Sequence, residues 1–266
     1  METVTKELQV LPLEHTNIPL SDKVKAIDAK IKADPENSDL WLQRGLALAE
    51  QLLFRESVEA FSNAIALNPF CGIYYRHRAH RNLSCWRFED ARADFSVASR
   101  LIPDNWAVWY HLGLCNFILK DFKKAEIAYR RCYELSTTLQ MKVAVSDWYW
   151  MTLSRLGKKE DAQKLLDAMK PAFDDPNFDP GDDLVYFLRL KMYAGILTPE
   201  ELIAIRDQNE NLVHRITISF GLANYLRIQG REQEAEKIFS WMREAGKDEC
   251  YYAFGYIAAM MDNQTR

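Results

Sequence analysis

Apolar residues in this chain recur on two scales: every third or fourth position within short stretches, and again in whole columns 34 residues apart. The first scale belongs to helices with one face against a core. The second marks a repeated unit. Trp41, Tyr75 and Trp109 share one column, and Gly45, Ala79 and Gly113 another. Phe54, Phe88 and Phe122 follow, then Ser57, Ala91 and Ala125, then Phe61, Phe95 and Tyr129, then Ala64, Ala98 and Cys132, and Pro69 and Pro103 close the first two units. Small residues let two helix axes approach, while the aromatics fill the space between one pair and the next. The pattern therefore predicts antiparallel helix pairs that bury their apolar faces only by stacking.

Around the strict units, residues 38–71, 72–105 and 106–139, the period weakens but persists. Divergent pairs are expected at about 143–172, 183–207 and 216–246, so that residues 21–262 form a single array. Before it, Val24, Ile27 and Ile31 stand at helical spacing behind Ser21, and Pro35 ends that helix. Residues 1–20 carry Leu11, Leu13, Ile18 and Leu20 without a sustained period and predict an extended arm, which is disordered, covers the first pair, or lies in the protein's own groove as an internal pseudo-ligand. Pro171 to Asp183, rich in proline and aspartate, predicts a loop, and Thr198-Pro-Glu-Glu201 predicts an N-cap with a capping box. The apolar stretch at about 248–262 predicts a helix that caps the stack, with self-association through it or through the arm as the other use of such a surface.

The run from Trp41-x2-x-Gly45 through Phe54 and Ser57-x3-Phe61-x2-Ala64 to Pro69 resembles the tetratricopeptide repeat (TPR) family, strongly over Ser38 to Leu139. It departs from that family at Arg44 and Arg78, where leucine is usual, and at Asn82 and Asn116, where tyrosine is usual. The resemblance implies an all-α, right-handed α-solenoid whose first helices line a concave groove. It also implies a non-catalytic protein–protein interaction scaffold that holds a partner peptide or protein segment there. In that register the groove positions include Arg76, His77 and His80, then Tyr110, His111 and Phe117, then Trp148 and Arg155. Family members that grip a chaperone's C-terminal carboxylate use a Lys/Asn clamp; Arg76, His77 and His80 stand here instead, so a different anionic peptide is expected.

Tyr74 to Arg81, YYRHRAHR, carries the most unusual chemistry, with arginines and histidines packed into two helical turns. Guanidinium offers paired donors to a carboxylate or phosphate, and neighbouring imidazoles titrate near neutrality. The expected ligand contacts are thus Arg76, His77, His80, Tyr110, His111, Phe117 and Trp148. The bland alternative pairs Arg78 and Arg81 with Glu89, Asp90 or Asp94 on the neighbouring helix. A third reading makes the His/Arg cluster the site of a small-molecule or anion sensor, or of an enzyme. No catalytic residue, metal site or cofactor is assigned, because no Gly-rich phosphate loop, nucleophile elbow or His-Glu-x-x-His pattern is present.

Composition changes this picture little. Hydrophobic residues make up 48% and charged residues 27%, enough for a folded body, and 34 basic against 38 acidic residues give no support to nucleic-acid or anionic-membrane binding. Neither a signal peptide nor a membrane span is expected, which places the chain in the cytoplasm. The five cysteines form no C-x-x-C pair and read as isolated thiols.

Overall fold

The structure, a computed structural model, describes residues 18–262. These are all-helical: α1 Asp22–Ala33, α2 Ser38–Glu50, α3 Phe54–Leu67, α4 Gly72–Ser84, α5 Phe88–Leu101, α6 Trp106–Ile118, α7 Phe122–Leu135, α8 Leu139–Arg155, α9 Lys159–Asp174, α10 Leu184–Tyr193, α11 Pro199–Gln208, α12 Leu212–Ile228, α13 Glu232–Ala245 and α14 Phe254–Asp262. The fold class is the all-α, solenoid type of paired helices, with α2/α3 as the first pair and α12/α13 as the sixth. Their contacts gather into two compact units, one up to Cys115 and one from Asn116, the division falling within α6.

In the first unit the repeat columns do what their chemistry requires. A Cβ added at Gly45 would collide with the ring of Phe61, so only glycine lets α2 and α3 close at this point. Phe61 and Phe95 are essentially inaccessible, as are Ala64, Ala79, Ala91 and Ala98. Trp41 donates its indole N–H to the carbonyl of Pro35 at 3.0 Å, and Trp109 repeats the bond to Pro103 at 2.7 Å, tying each aromatic to the loop before its helix. Helix α1 is capped by Ser21, whose hydroxyl accepts from the backbone N–H of Val24. It buries Val24, Ile27 and Ile31 against Ala47 and Leu48 of α2, and Leu20 joins that cluster from outside. The end of the predicted arm is pinned where the Ser21 N–H donates to the Gln51 side chain and Gln51 returns a bond to the Pro19 carbonyl. Leu11 and Leu13 of the arm lie outside the described residues.

The turn inside each pair is a Schellman-type stop. The N–H groups of Leu53, Arg87, Asp121, Lys158 and Arg231 donate to the carbonyls of Leu48, Asn82, Asn116, Leu153 and Leu226, all within 3.0 Å. The residue before each of these donors lies in the left-handed region: Gly157 and Gly230 in the later pairs, but Leu52, Trp86 and Lys120, each at φ 61°, in the first three. A side chain in that region costs about 1–2 kcal/mol that glycine avoids. Leu52→Gly, at a side chain 48% exposed, is therefore expected to raise stability by about 1 kcal/mol in urea unfolding.

One sequence expectation needs correction. Pro171 does not open the loop; α9 continues through it to Asp174. Continuing the helix buries Ala172 and sets the Phe173 ring 5.6 Å from that of Phe187, which offsets the backbone hydrogen bond that proline cannot make. The loop begins at Asp175 and contains a single 3-10 turn, Gly181–Asp183. The predicted capping box at Thr198 is present in both directions.

Candidate functional site

The Tyr74–Arg81 run lies on α4 and divides its charges between two sides. Arg78 turns towards α5 and forms a two-pronged pair with Asp94, Nε to Oδ2 at 2.7 Å and Nη2 to Oδ1 at 2.6 Å, with Nη1 on Ser62. Arg44 pairs with the neighbouring helix one repeat earlier through a single contact, Nε to Asp28 Oδ1 at 2.6 Å. The two departures from family leucine are therefore compensated ion pairs between neighbouring helices. The Asp94 hydrogen bond raises the Arg78 guanidinium, against the depressing effect of burial. This pair floors an open cleft of about 590 Å³ that also admits Glu59, Asn63, Asn82 and Arg87.

Arg76 and Arg81 behave differently, and Arg81 does not join the acids of α5. Arg76 Nη1 lies 3.2 Å from His77 Nδ1, Arg81 Nη2 lies against His80 Nδ1, and the Arg81 guanidinium stands 5.0 Å over the Phe54 ring. Among the described residues no carboxylate pairs with either. Burial depresses Arg76, and burial together with Arg76 brings Arg81 down to about 10.

The imidazoles interleave with the aromatic columns. His77 stacks on Phe61 and His111 on Phe95, each with centroids 5.6 Å apart, so the same packing recurs one repeat later. His80 meets His111 edge-on at 4.6 Å, and Tyr110 stands between His111 and Trp106. His111 Nδ1 is 2.6 Å from the carbonyl of Ala107, which assigns the proton to that nitrogen. Burial, followed by Arg76 and Arg81, brings His77 down to about 4. Burial alone accounts for most of the drop of His111 to about 4, and burial with His111 holds His80 well below its usual value. All three rings are thus neutral at pH 7, His77 and His80 accepting from the guanidiniums and His111 donating to the Ala107 carbonyl, which leaves the two guanidiniums as the charge of this face.

The structure brings together Arg76, His77, His80, Tyr110 and His111, five of the predicted contacts. Phe117 and Trp148 belong to the second unit. Their rings meet edge-on at 5.3 Å and both approach Phe220, and Trp148 has no accessible surface. Trp148 is therefore a packing residue rather than a wall open to a ligand; its column lies at the centre of its unit, where apolar area is worth most when dry.

Beside Trp148 the structure reveals a group the repeat pattern conceals. Arg189 of α10 and Asp147 of α8 form an ion pair at 2.8 Å with both side chains wholly inaccessible. Arg189 also donates to the Thr217 carbonyl at 3.0 Å and to the Tyr193 hydroxyl at 3.3 Å, and lies over the rings of Trp148, Tyr186 and Phe220. The Tyr193 hydroxyl also acts on the Asp147 carboxylate, so the acid is held by the guanidinium charge and the phenol together. Burial pushes Asp147 up to about 7 against the pull of Arg189. Burial alone would depress Arg189, but Asp147 and Tyr193 hold it above its usual range. A Cβ at Gly221 would collide with Arg189 Nε and the Tyr193 hydroxyl, so glycine leaves the notch the guanidinium fills. The signal available in sequence was a lone acid in VAVSDWYWM and a lone base in LVYFLRL, each inside an apolar helix.

Among the described residues no helix is long and apolar enough to cross a membrane, and no group of three or more His, Cys, Asp or Glu is placed to hold a metal.

Residues 87–138 match the family model described as a tetratricopeptide repeat. The heat-shock cognate (HSC) co-chaperone sgt12 of Aspergillus fumigatus is 25% identical over 114 residues, 43% of this chain and 33% of that protein, so the chain spans about a third of the length of that relative. A tetratricopeptide repeat protein from Parabacteroides merdae has a similar fold, with a TM-score of 0.59 at 14% identity over 89% of this chain and 91% of the other. YrrB, described as a TPR protein with an unusual peptide-binding site, gives 0.52 at 14% identity over 86% and 96%. PilF of Pseudomonas aeruginosa gives 0.51 at 11% identity over 82% and 96%. At such identities these structures speak for the fold alone. Residues 87–138 thus match a tetratricopeptide repeat, and the paired-helix fold of the chain is the one seen in tetratricopeptide-repeat proteins.

Proposed function

We propose that this chain is a non-catalytic interaction scaffold whose first unit binds an acidic peptide segment of a partner protein. The observation that carries this reading is the state of Arg76 and Arg81: two partly buried guanidiniums with imidazole nitrogens for neighbours and no carboxylate among the described residues. A charge withdrawn from water without a counter-charge is costly, and a ligand carboxylate would relieve that cost. His77, His80 and His111, neutral at pH 7, would hold the guanidiniums in place and present the apolar edges of their rings, with Tyr110 alongside. The family's helix-pair architecture suits an extended peptide, because a rigid wall loses little freedom on binding. The name of the curated relative, an HSC co-chaperone, agrees with a protein partner.

The test is a fluorescence-anisotropy screen of acidic peptides against the wild-type chain and an Arg76→Ala/Arg81→Ala variant. Loss of a charged hydrogen-bond partner is worth about 1.5–3 kcal/mol, so the variant is expected to bind hits at least tenfold more weakly and with a flatter salt dependence. Equal affinity for every hit would remove the proposed site. Competition by inorganic phosphate at low millimolar concentration would identify a small-anion site instead of a peptide one.

A further inference from the structure

Helix α14 packs on α12 and α13, as a terminal cap does, but it also reaches α8. Its last described residue, Asp262, has a side chain only 14% exposed and is held from two helices at once. Arg155, at the end of α8, places Nη2 2.9 Å from Asp262 Oδ2 and 2.7 Å from the side-chain oxygen of Asn224 on α12. Arg227, also on α12, donates to the same Asp262 oxygen. Lys120, in the turn before α7, lines the small void beside them with Phe117 and Ala258. Burial alone would raise the Asp262 carboxyl; Arg155 and Arg227 hold it below the usual range.

The rest of α14 is built for close approach. Gly255, Ala258 and Ala259 are buried, and a Cβ at Gly255 would meet Phe220 and the Thr217 backbone in ordinary van der Waals contact at 3.4 Å, so α14 packs against α12 with small side chains between them. Phe117 and Arg155 occupy the register of groove positions on their own helices. A helix of 9 residues has little order of its own in water, where about 12–15 residues are needed even for good helix formers. Its structure is thus supplied by the surface beneath it.

We propose that α14 is a resident ligand of the second unit, and that the surface it covers, closed by Arg155, Arg227 and Lys120, accepts from a partner protein a short apolar helix ending in an aspartate or glutamate. The recognition elements are those that α14 uses: small residues against Phe220 and Thr217, and one carboxylate shared between two guanidiniums. This inference does not rest on the reading of the first unit.

The experiment uses the full chain as wild type, Asp262→Asn and Ala258→Arg, the last evicting α14 by bulk while keeping its acid. The probe is a fluorescein-labelled peptide with the sequence of residues 251–262 behind a lysine tag for solubility. In both variants, amides of 254–262 are expected to exchange with deuterium at least tenfold faster than in the wild type while α8, α10 and α12 stay unchanged. The probe should bind both variants at least tenfold more tightly than the wild type and lose that affinity when its own aspartate becomes asparagine. If α12 and α14 lose protection together, or if either variant fails to fold, α14 is an integral part of the unit and the proposal falls. It falls equally if the probe binds all three chains alike or none of them.

Discussion

Replacing Arg189 by leucine will destabilise the second unit by about 3–5 kcal/mol, the cost of leaving one member of a buried pair behind. Both side chains are fully inaccessible, and Asp147 already sits near pH 7 in its proton affinity with Arg189 beside it. Without the guanidinium the carboxylate must take up a proton, the Thr217 carbonyl loses its donor, and the notch opposite Gly221 empties. Replacing both partners, Asp147→Leu with Arg189→Leu, removes the isolated charge and should recover most of the loss, since apolar groups of similar volume can substitute for such pairs. Urea unfolding followed by hydrogen exchange in α8, α10 and α12 measures both variants. A single-variant loss below about 1 kcal/mol would mean that the pair is not what holds these helices together.

Acid is expected to loosen the first unit. His111 falls from an ordinary 6.5 to about 4 on folding. Above 6.5 neither state binds the proton and no cost is felt; between 6.5 and 4 the unfolded chain binds a proton that the folded unit refuses, so stability falls as pH falls. At about 1.4 kcal/mol per unit, this side chain alone should remove about 3 kcal/mol by pH 4, and His77 and His80 shift in the same direction. Asp147 works the other way in its own unit. Its raised value means that the folded state binds the proton first, so the second unit gains stability as pH falls from about 7 towards 4. Protection factors, corrected for the intrinsic pH dependence of amide exchange and read separately over α4–α5 and over α8–α10 at pH 7.5 and 4.5, should move in opposite directions, and His111→Gln should remove the His111 share of the acid sensitivity of the first while leaving that of His77 and His80. Parallel movement of both units would contradict the assignment.

The packing columns were legible because residues of like size recur in them and their roles recur with them: Gly45 admits the Phe61 ring, and Trp41 and Trp109 bond the equivalent carbonyls of Pro35 and Pro103. The cluster at Arg76, His77 and His80 was legible as a local run, but its chemical state was not. That His77 and His111 are neutral follows from their burial, against Phe61 and Phe95 among others, which depends on a neighbouring helix. Register alone assigned Trp148 to the groove, whereas burial assigns it to the core, because the divergent pairs no longer keep the strict period that links position to face. Arg189 and Asp147 fall in those same divergent pairs, and opposite charges on separate helices leave no shared spacing by which to match them. The end of α9 misled for a local reason: proline is a helix breaker in isolation, and only the burial of Ala172 shows why the helix runs past it.

The short link from Gly246 to Ala253 sets a threshold for any partner of the second unit. A ligand joined to its site by so few residues competes at an effective concentration in the millimolar range. If α14 as a free peptide would hold the bare surface with about micromolar affinity, any partner helix is seen as roughly a thousandfold weaker by the intact chain. Such a surface answers only to partners that are abundant, or that are already anchored elsewhere on the protein and so arrive with a local concentration of their own.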